Sequence, residues 1–278
     1  MDTGFVLTDY GETKMYEIPS FRQCGLVRHG FTTRLGGRGN KPFDTLNLAF
    51  HVGDSLQTVI ENRKIVCRAL GTTIDSIVAA KQVHSNNIVV VESRDAGCGA
   101  LTYDTAIPDV DGLVTNRPGL LLATFYADCV PIYILDPVKK VIASVHAGWK
   151  GTVARIGACA VKTMTETFGS APANCLVGIG PSIGPCCYEV DEPVIGVVKR
   201  EFDWWLDVLK PSEKGRARLD LWAANRRIMV EAGIKDGNVE MAHSCTSCNQ
   251  QILFSFRGSQ GLTGRMGAFL MLNPDILL

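Results

Sequence analysis

The stretch Ile142-Ala143-Ser144-Val145-His146-Ala147-Gly148-Trp149-Lys150-Gly151 constrains this chain more than any other. An apolar, β-branched run that halts at a histidine, passes a glycine-framed tryptophan and lysine and then turns helical predicts a strand delivering one side chain to a site at its end. The same grammar occurs twice upstream. Leu120 to Ala127 is an apolar, strand-like run closing on Asp128-Cys129, and Lys81-Gln82-Val83-His84 stands just before the strand-like Ile88 to Glu92. Two histidines and one thiol at the ends of buried strands make the donor set of a zinc ion with three protein ligands and one open position. The spacing is not that of a zinc finger, and the same residues also suit two hydrogen-bonded core histidines beside an inert thiol.

What surrounds this core points to a small-molecule protein. The 278 residues have room for two domains by length, but no linker interrupts them, so residues 1–278 read as a single domain. Lysine plus arginine and aspartate plus glutamate both number 28, so no net field favours nucleic acid or an anionic membrane. Met1 to Tyr16 mixes acids, glycine and aromatics unlike an export signal, and the apolar runs, roughly ten residues long, fall short of a bilayer span. Ten cysteines without an export signal read as reduced thiols in a cytoplasmic protein.

Further candidates appear in chain order. The loop Gly30 to Gly39, with Arg34 and Arg38, offers glycine-freed N–H groups and guanidinium suited to phosphate, though a solvated loop fits equally. Asn47 and His51 are polar in an apolar context and must find partners, with Asn47 favoured for the site. Asp54 is placed to cap a helix that runs to Gly71. The loop from Gly97 to Pro108 reads as mobile, and beyond it Asp111 and Asp128 are candidate carboxylates, either orienting an imidazole or moving a proton. Asp109 reads as a turn cap. A helix is predicted from Thr152 to Phe168, its N-terminus and Lys150 favouring an anion beside the site. Val177 to Val190 is a glycine- and proline-rich segment that shapes a pocket wall and carries Cys186 and Cys187. Helices follow over 193–209 and 219–232, then Cys245-Thr246-Ser247-Cys248, an unpaired C-x-x-C to which Cys186-Cys187 has the wrong spacing to be the partner. Strand-like pieces at Leu253 to Arg257 and Arg265 to Leu270 close the chain.

In this order the motifs resemble the YfiH family, the bacterial laccase-domain or polyphenol oxidase proteins also described as purine nucleoside phosphorylases. The resemblance is carried by His29-Gly30-Phe31-Thr32-Thr33-Arg34-Leu35-Gly36-Gly37, Leu46-Asn47-Leu48, His51-Val52-Gly53-Asp54 and Gln82-Val83-His84-Ser85. It continues through Asp111 to Thr115, Ala127-Asp128-Cys129-Val130-Pro131-Ile132, His146 to Gly151 and Gly180 to Val190, and spans about residues 29 to 270. It implies zinc on His84, Cys129 and His146, and one α/β (α+β) domain of mixed β-sheets flanked by helices, similar to bacterial toxin cysteine deamidases. It further implies phosphorolysis of adenosine, inosine and methylthioadenosine, with adenosine deamination in the same site. Lys150 stands where arginine is frequent and Arg38 where a small residue is usual; lysine keeps the charge but not the bidentate fork.

The reading that follows is a zinc enzyme acting on a nucleoside and phosphate, with Asp128 or Asp111 moving the proton and Arg34, Asn47 and Lys150 holding substrate. Copper-dependent phenol oxidation is the first alternative: the trio can hold copper, but five histidines are too few for a multicopper centre. The second is a cysteine hydrolase acting on cell-wall precursors, with Cys129 as nucleophile, and the third a non-catalytic metal-binding adaptor. Monomer and homodimer remain open.

Overall fold

The computed structural model describes residues 4–275. The strand read from Ile142 onward is Val141–Ala147, and every residue in it is buried. A strand this apolar needs cover on both faces, and the fold supplies it. In chain order the elements are β1 (Val6–Asp9), β2 (Lys14–Glu17), α1 (Pro19–Cys24), β3 (Val27–Thr32), α2 (Leu56–Ala69), β4 (Ile77–Ala79), β5 (Ile88–Val90), β6 (Gly112–Thr115), β7 (Leu121–Tyr126) and β8 (Val130–Asp136). They continue with β9 (Val141–Ala147), α3 (Trp149–Val153), α4 (Ile156–Phe168), β10 (Leu176–Ile179), β11 (Glu189–Val190), α5 (Glu192–Glu201), α6 (Trp205–Val208), β12 (Leu209–Pro211), β13 (Ala217–Leu219), α7 (Leu221–Glu231), β14 (Val239–Met241) and β15 (Met266–Leu272).

Two mixed six-stranded sheets, ordered β1-β2-β3-β15-β7-β4 and β14-β10-β8-β9-β6-β5, lie face to face, and a small sheet β11-β13-β12 stands beside them. The period-2 geometry of strands assigns the cores. Ile132, Ile134, Ala143 and Val145 face a core shared with α4 and α7, which contribute Ala160, Met164, Ile228 and Met229. Their neighbours Tyr133, Leu135 and Ile142 face the opposite way and meet Leu122, Leu270 and Phe31 of the other sheet. That sheet buries Leu121, Ala123 and Phe269 against Ile65 and Val66 of α2. The layers therefore run helix, sheet, sheet, helix, a mixed α/β domain with helices outside, as the resemblance implied.

Several local expectations differ. The helix expected from Thr152 is two: Trp149, Lys150 and Gly151 are already helical in α3, and Arg155 breaks the path at φ 56° before α4 begins. Its guanidinium is held 2.6 Å from Glu231. The helix expected over 193–209 ends at Glu201, where Phe202 turns extended; its ring stacks on Trp204 with centroids 4.1 Å apart, and the short α6 follows. Ser55 rather than Asp54 occupies the position before α2. Leu253 to Arg257 is not a strand: Leu253 donates its N–H to the Asn249 carbonyl in a turn, Phe254 to Met266 Sδ and Arg257 to the Asp128 carboxylate.

The segment read as mobile, 97–108, is pinned. Arg63 on α2 is fully buried between the rings of Phe50 and Phe125, and its guanidinium donates to the carbonyls of Gly99 and Ala100. Ala80 bridges Ile107 at the far end of the segment. A buried guanidinium needs several acceptors to offset its desolvation, and here it finds them in the loop backbone.

Candidate metal centre and its cavity

The site lies where the chain crosses between the sheets. β4 and β7 belong to one sheet and β5 and β8 to the other, so the links carrying His84 and Cys129 both pass across the same end of the sandwich. His146, near the end of β9, shares the strand face of Ile142 and Ser144, the one turned towards β7; its ring lies 5.2 Å from that of Tyr126. Register does the rest: Pro131 pairs with His146 and Val130 with Ala147, which sets Cys129 beside Gly148. The ligand atoms of His84, Cys129 and His146 all lie within 4.8 Å of one another, and Cys129 Sγ is 3.8 Å from His84 Nε2. A Cβ on Gly148 would stand 2.9 Å from His84 Cδ2 and 3.1 Å from Cys129 Sγ, so the cradle requires glycine there.

Two of these crossings hold non-glycine residues in the left-handed region, His84 at φ 61° and Asp128 at φ 91°. Such conformations persist only where surrounding bonds impose them. For His84 the bonds come from Asp111, which is wholly buried. Its carboxylate accepts the N–H groups of Val83, His84 and Ser85 and the Ser85 hydroxyl, and lies 2.8 Å from His146 Nδ1. Burial alone would raise the Asp111 pKa; the bond to His146, its charge and the Ser85 donors outweigh that and hold it at about 2. With Nδ1 engaged, His146 presents Nε2 to the centre. Burial opposes the charge on both neighbours, yet His146 and Cys129 each stabilise the other's ion, so the imidazole is shifted up and the thiol down.

Asp128 is a different hub. Its carboxylate accepts hydrogen bonds from Thr246 Oγ1, Ser255 Oγ and the Arg257 N–H at 2.6, 2.7 and 2.6 Å, and its carbonyl accepts from the Ile183 N–H. It thereby ties the 182–188 segment and the 244–257 segment to the centre.

Around the trio opens a cavity of about 450 Å³, within the range of about 300–1,000 Å³ usual for small-molecule sites. Phe125, Trp149, Tyr188 and Phe256 supply apolar and aromatic wall; Asp128, His51, Gln82, Arg257 and Arg265 supply polar groups. The segment from Val177 to Val190 forms part of the wall, as its glycines and prolines led one to expect, through Ile183 and Tyr188.

The three residues assigned to substrate are elsewhere. Arg34 is bound to Asp44 and to the Gln250 carbonyl and lies over the Phe254 ring. Asn47 is buried in backbone bonds to Ala49 and Arg265 and a bond to Asp54. Lys150 extends along Trp149 on α3 and does not line the cavity. The cations that do are Arg257 and Arg265, and of the pair Asn47 and His51 it is His51 that faces the space. Arg265 is lowered from the usual arginine range by burial, although Cys129 and Asp128 draw it back up. Its only sequence signal is a charge directly before a buried strand; Arg257 closes an apolar run in the same way.

Residues 28–273 match the family described as multi-copper polyphenol oxidoreductase laccase. The purine nucleoside phosphorylase YlmD of Bacillus subtilis is 40% identical over 242 residues, covering 87% of either chain. The adenosine deaminase RL5 of an unknown prokaryotic organism is 33% identical over 227 residues, 81% of this chain and 86% of that one. The crystal structure of the Bacillus licheniformis hypothetical protein YfiH superposes with a TM-score of 0.92 at 41% identity, covering 96% of this chain and 99% of that one.

Proposed function

Because the chain belongs to the multi-copper polyphenol oxidoreductase laccase family, we propose from its site and its relatives that it is a zinc-dependent purine nucleoside phosphorylase that also deaminates adenosine. The observation that carries this reading is the convergence of His84, Cys129 and His146 on a cavity with aromatic walls and two arginines. Inosine, adenosine and methylthioadenosine are its substrates.

Nitrogen and sulfur donors on three separate elements, one imidazole fixed by a buried carboxylate, fit zinc and leave a face open to the cavity. Bound there, zinc would polarise the oxygen nucleophile, phosphate in phosphorolysis and water in deamination. Tyr188, Trp149 and Phe256 provide the apolar surface a purine needs. Arg257 and Arg265 provide the charge-assisted donors a phosphate needs. In phosphorolysis the C1′–N9 bond breaks, a C1′–O bond to phosphate forms, and the departing base takes a proton. Asp128 is the carboxylate that lines the cavity, and among the described residues its oxygen facing Arg257 accepts a single hydrogen bond, so Asp128 handles this proton. Asp111 has every oxygen engaged away from the cavity and acts by positioning both histidines.

The test pairs metal analysis with product analysis. Purified protein should carry zinc at the trio, convert inosine and phosphate to hypoxanthine and ribose 1-phosphate, and convert adenosine to inosine. His84→Ala should lose that zinc and both activities together.

One observation favours a second reading. Asp111, His146 and Cys129 also form the orienter, base and nucleophile of a cysteine hydrolase. Full activity without zinc, abolished by thiol alkylation, would select it. For copper, the one histidine-bearing donor group among the described residues is this trio: His29 accepts the Ile18 N–H, His243 packs on Trp222, and His51 lines the cavity without belonging to the group.

A further inference from the structure

The segment Gly180 to Tyr188 and the segment His243 to Cys248 are some sixty positions apart in sequence, yet they run side by side. Parallel pairing of β10 with β14 sets the register, and Ser182 then bridges Cys245, its N–H bonded to the Ser244 carbonyl and its carbonyl to the Thr246 N–H. The consequence is a cluster that spacing alone argued against. The sulfurs of Cys186, Cys187, Cys245 and Cys248 all lie within 4.8 Å of one another. The unpaired C-x-x-C has its partner after all, in a vicinal pair delivered by a different strand.

Three observations identify what the cluster is built for. Cys248 Sγ is 3.6 Å from Cys186 Sγ and 3.4 Å from Cys187 Sγ. A tetrahedral cation with metal–sulfur bonds of about 2.3 Å separates its sulfurs by roughly 3.8 Å, whereas a disulfide needs about 2.05 Å; these spacings are those of a ligand cage. The Gly184 N–H points at the Cys245 sulfur at 3.3 Å, and a donor so aimed suits the anionic sulfur that a metal requires. Arg218 lies against the Cys186 carbonyl and brings a positive charge to the edge of the cluster, where it would offset the negative charge of a four-sulfur metal centre.

We propose that Cys186, Cys187, Cys245 and Cys248 form a second metal site, a structural four-sulfur centre for a thiophilic divalent cation, zinc first, that clamps one wall of the substrate cavity. None of the four sulfurs lines that cavity, but Ile183 and Tyr188 on one clamped segment do, and the other leads through Thr246 to the Asp128 carboxylate. Metal at the cysteines and hydrogen bonds at Asp128 therefore fasten the same two segments at two points. Binding releases the thiol protons to solvent, and no electron is transferred.

The test uses the full chain with the first centre removed, His84→Ala/Cys129→Ser, purified under reducing conditions with zinc. It should retain one zinc per chain, and its four clustered thiols should resist alkylation until a chelator is added. Cobalt(II) in place of zinc should give intense sulfur-to-metal charge-transfer absorption. Adding Cys245→Ser/Cys248→Ser should remove the last metal equivalent. If that variant does not fold, the zinc content, thiol protection and cobalt spectrum of the parent still decide the matter. A metal-free parent whose clustered thiols react freely overturns the proposal. So does a mass two hydrogens lower from a disulfide within the cluster.

Discussion

Asp111 lies 2.8 Å from Nδ1 of His146 while the same carboxylate holds the backbone of His84 in its left-handed turn. One buried acid thus orients one side chain of the trio on a strand and another on a loop. Asparagine in its place keeps the volume but turns an acceptor into a donor facing N–H groups. Asp111→Asn should weaken zinc binding and lower kcat by about 10- to 100-fold. Competition against a zinc indicator, run beside the inosine assay, checks this; unchanged zinc affinity would remove the positioning role.

Gly148 has an ordinary backbone conformation, so alanine there meets no torsional objection. Its methyl would nevertheless enter the trio, 2.9 Å from the His84 ring. Gly148→Ala should fold with nearly native stability yet lose metal and activity. Thermal unfolding and metal content separate the two effects, and a fully loaded, active Gly148→Ala protein contradicts the assigned geometry.

The arginines can be told apart kinetically. Arg265→Met should raise the KM for phosphate about 10- to 100-fold, the loss of one charge-assisted bond, with a smaller effect on adenosine deamination, which uses no phosphate. Arg34→Met should instead lower stability, since Arg34 joins Asp44 and the Gln250 carbonyl outside the cavity. Should Arg34→Met raise the phosphate KM while Arg265→Met does not, the sequence-based assignment is the right one.

His29 makes stability depend on pH. Burial lowers it from 6.5 to about 4, the Glu17 carboxylate pulling weakly the other way. Between these values the unfolded chain binds more protons than the folded one, so stability is fully present above pH 6.5 and is lost as pH falls towards about 4. The loss attributable to His29 is roughly 3 kcal/mol. Urea midpoints across this range should fall less steeply in His29→Gln, and parallel profiles would falsify the assignment.

Much of this architecture was legible in the chain. Burial on both faces writes itself as unbroken apolar runs, so β7 and β9 could be read directly, and a histidine or cysteine closing such a run is conspicuous because it interrupts the pattern. Cys129 and His146 were read in that way, and His84 from its place just before the strand-like Ile88 to Glu92. Arg257 and Arg265 were not, because a charge beside an apolar run is ordinary at any strand end. Whether it faces solvent or a cavity depends on what the other sheet places opposite. For the same reason Arg34 and Asn47, prominent in a glycine-rich and an apolar context, proved to be satisfied by backbone carbonyls and a neighbouring carboxylate.

By itself, then, the sequence determined which segments become buried strands and which side chains end them, since local hydrophobic pattern and backbone preference operate within a few residues. Only the tertiary structure decided which ends meet. Pairing of β8 with β9 sets Cys129 beside Gly148 and His146, and pairing of β10 with β14 carries Cys245 and Cys248 to Cys186 and Cys187. Both depend on strand register across long sequence separations, which no spacing in the chain encodes.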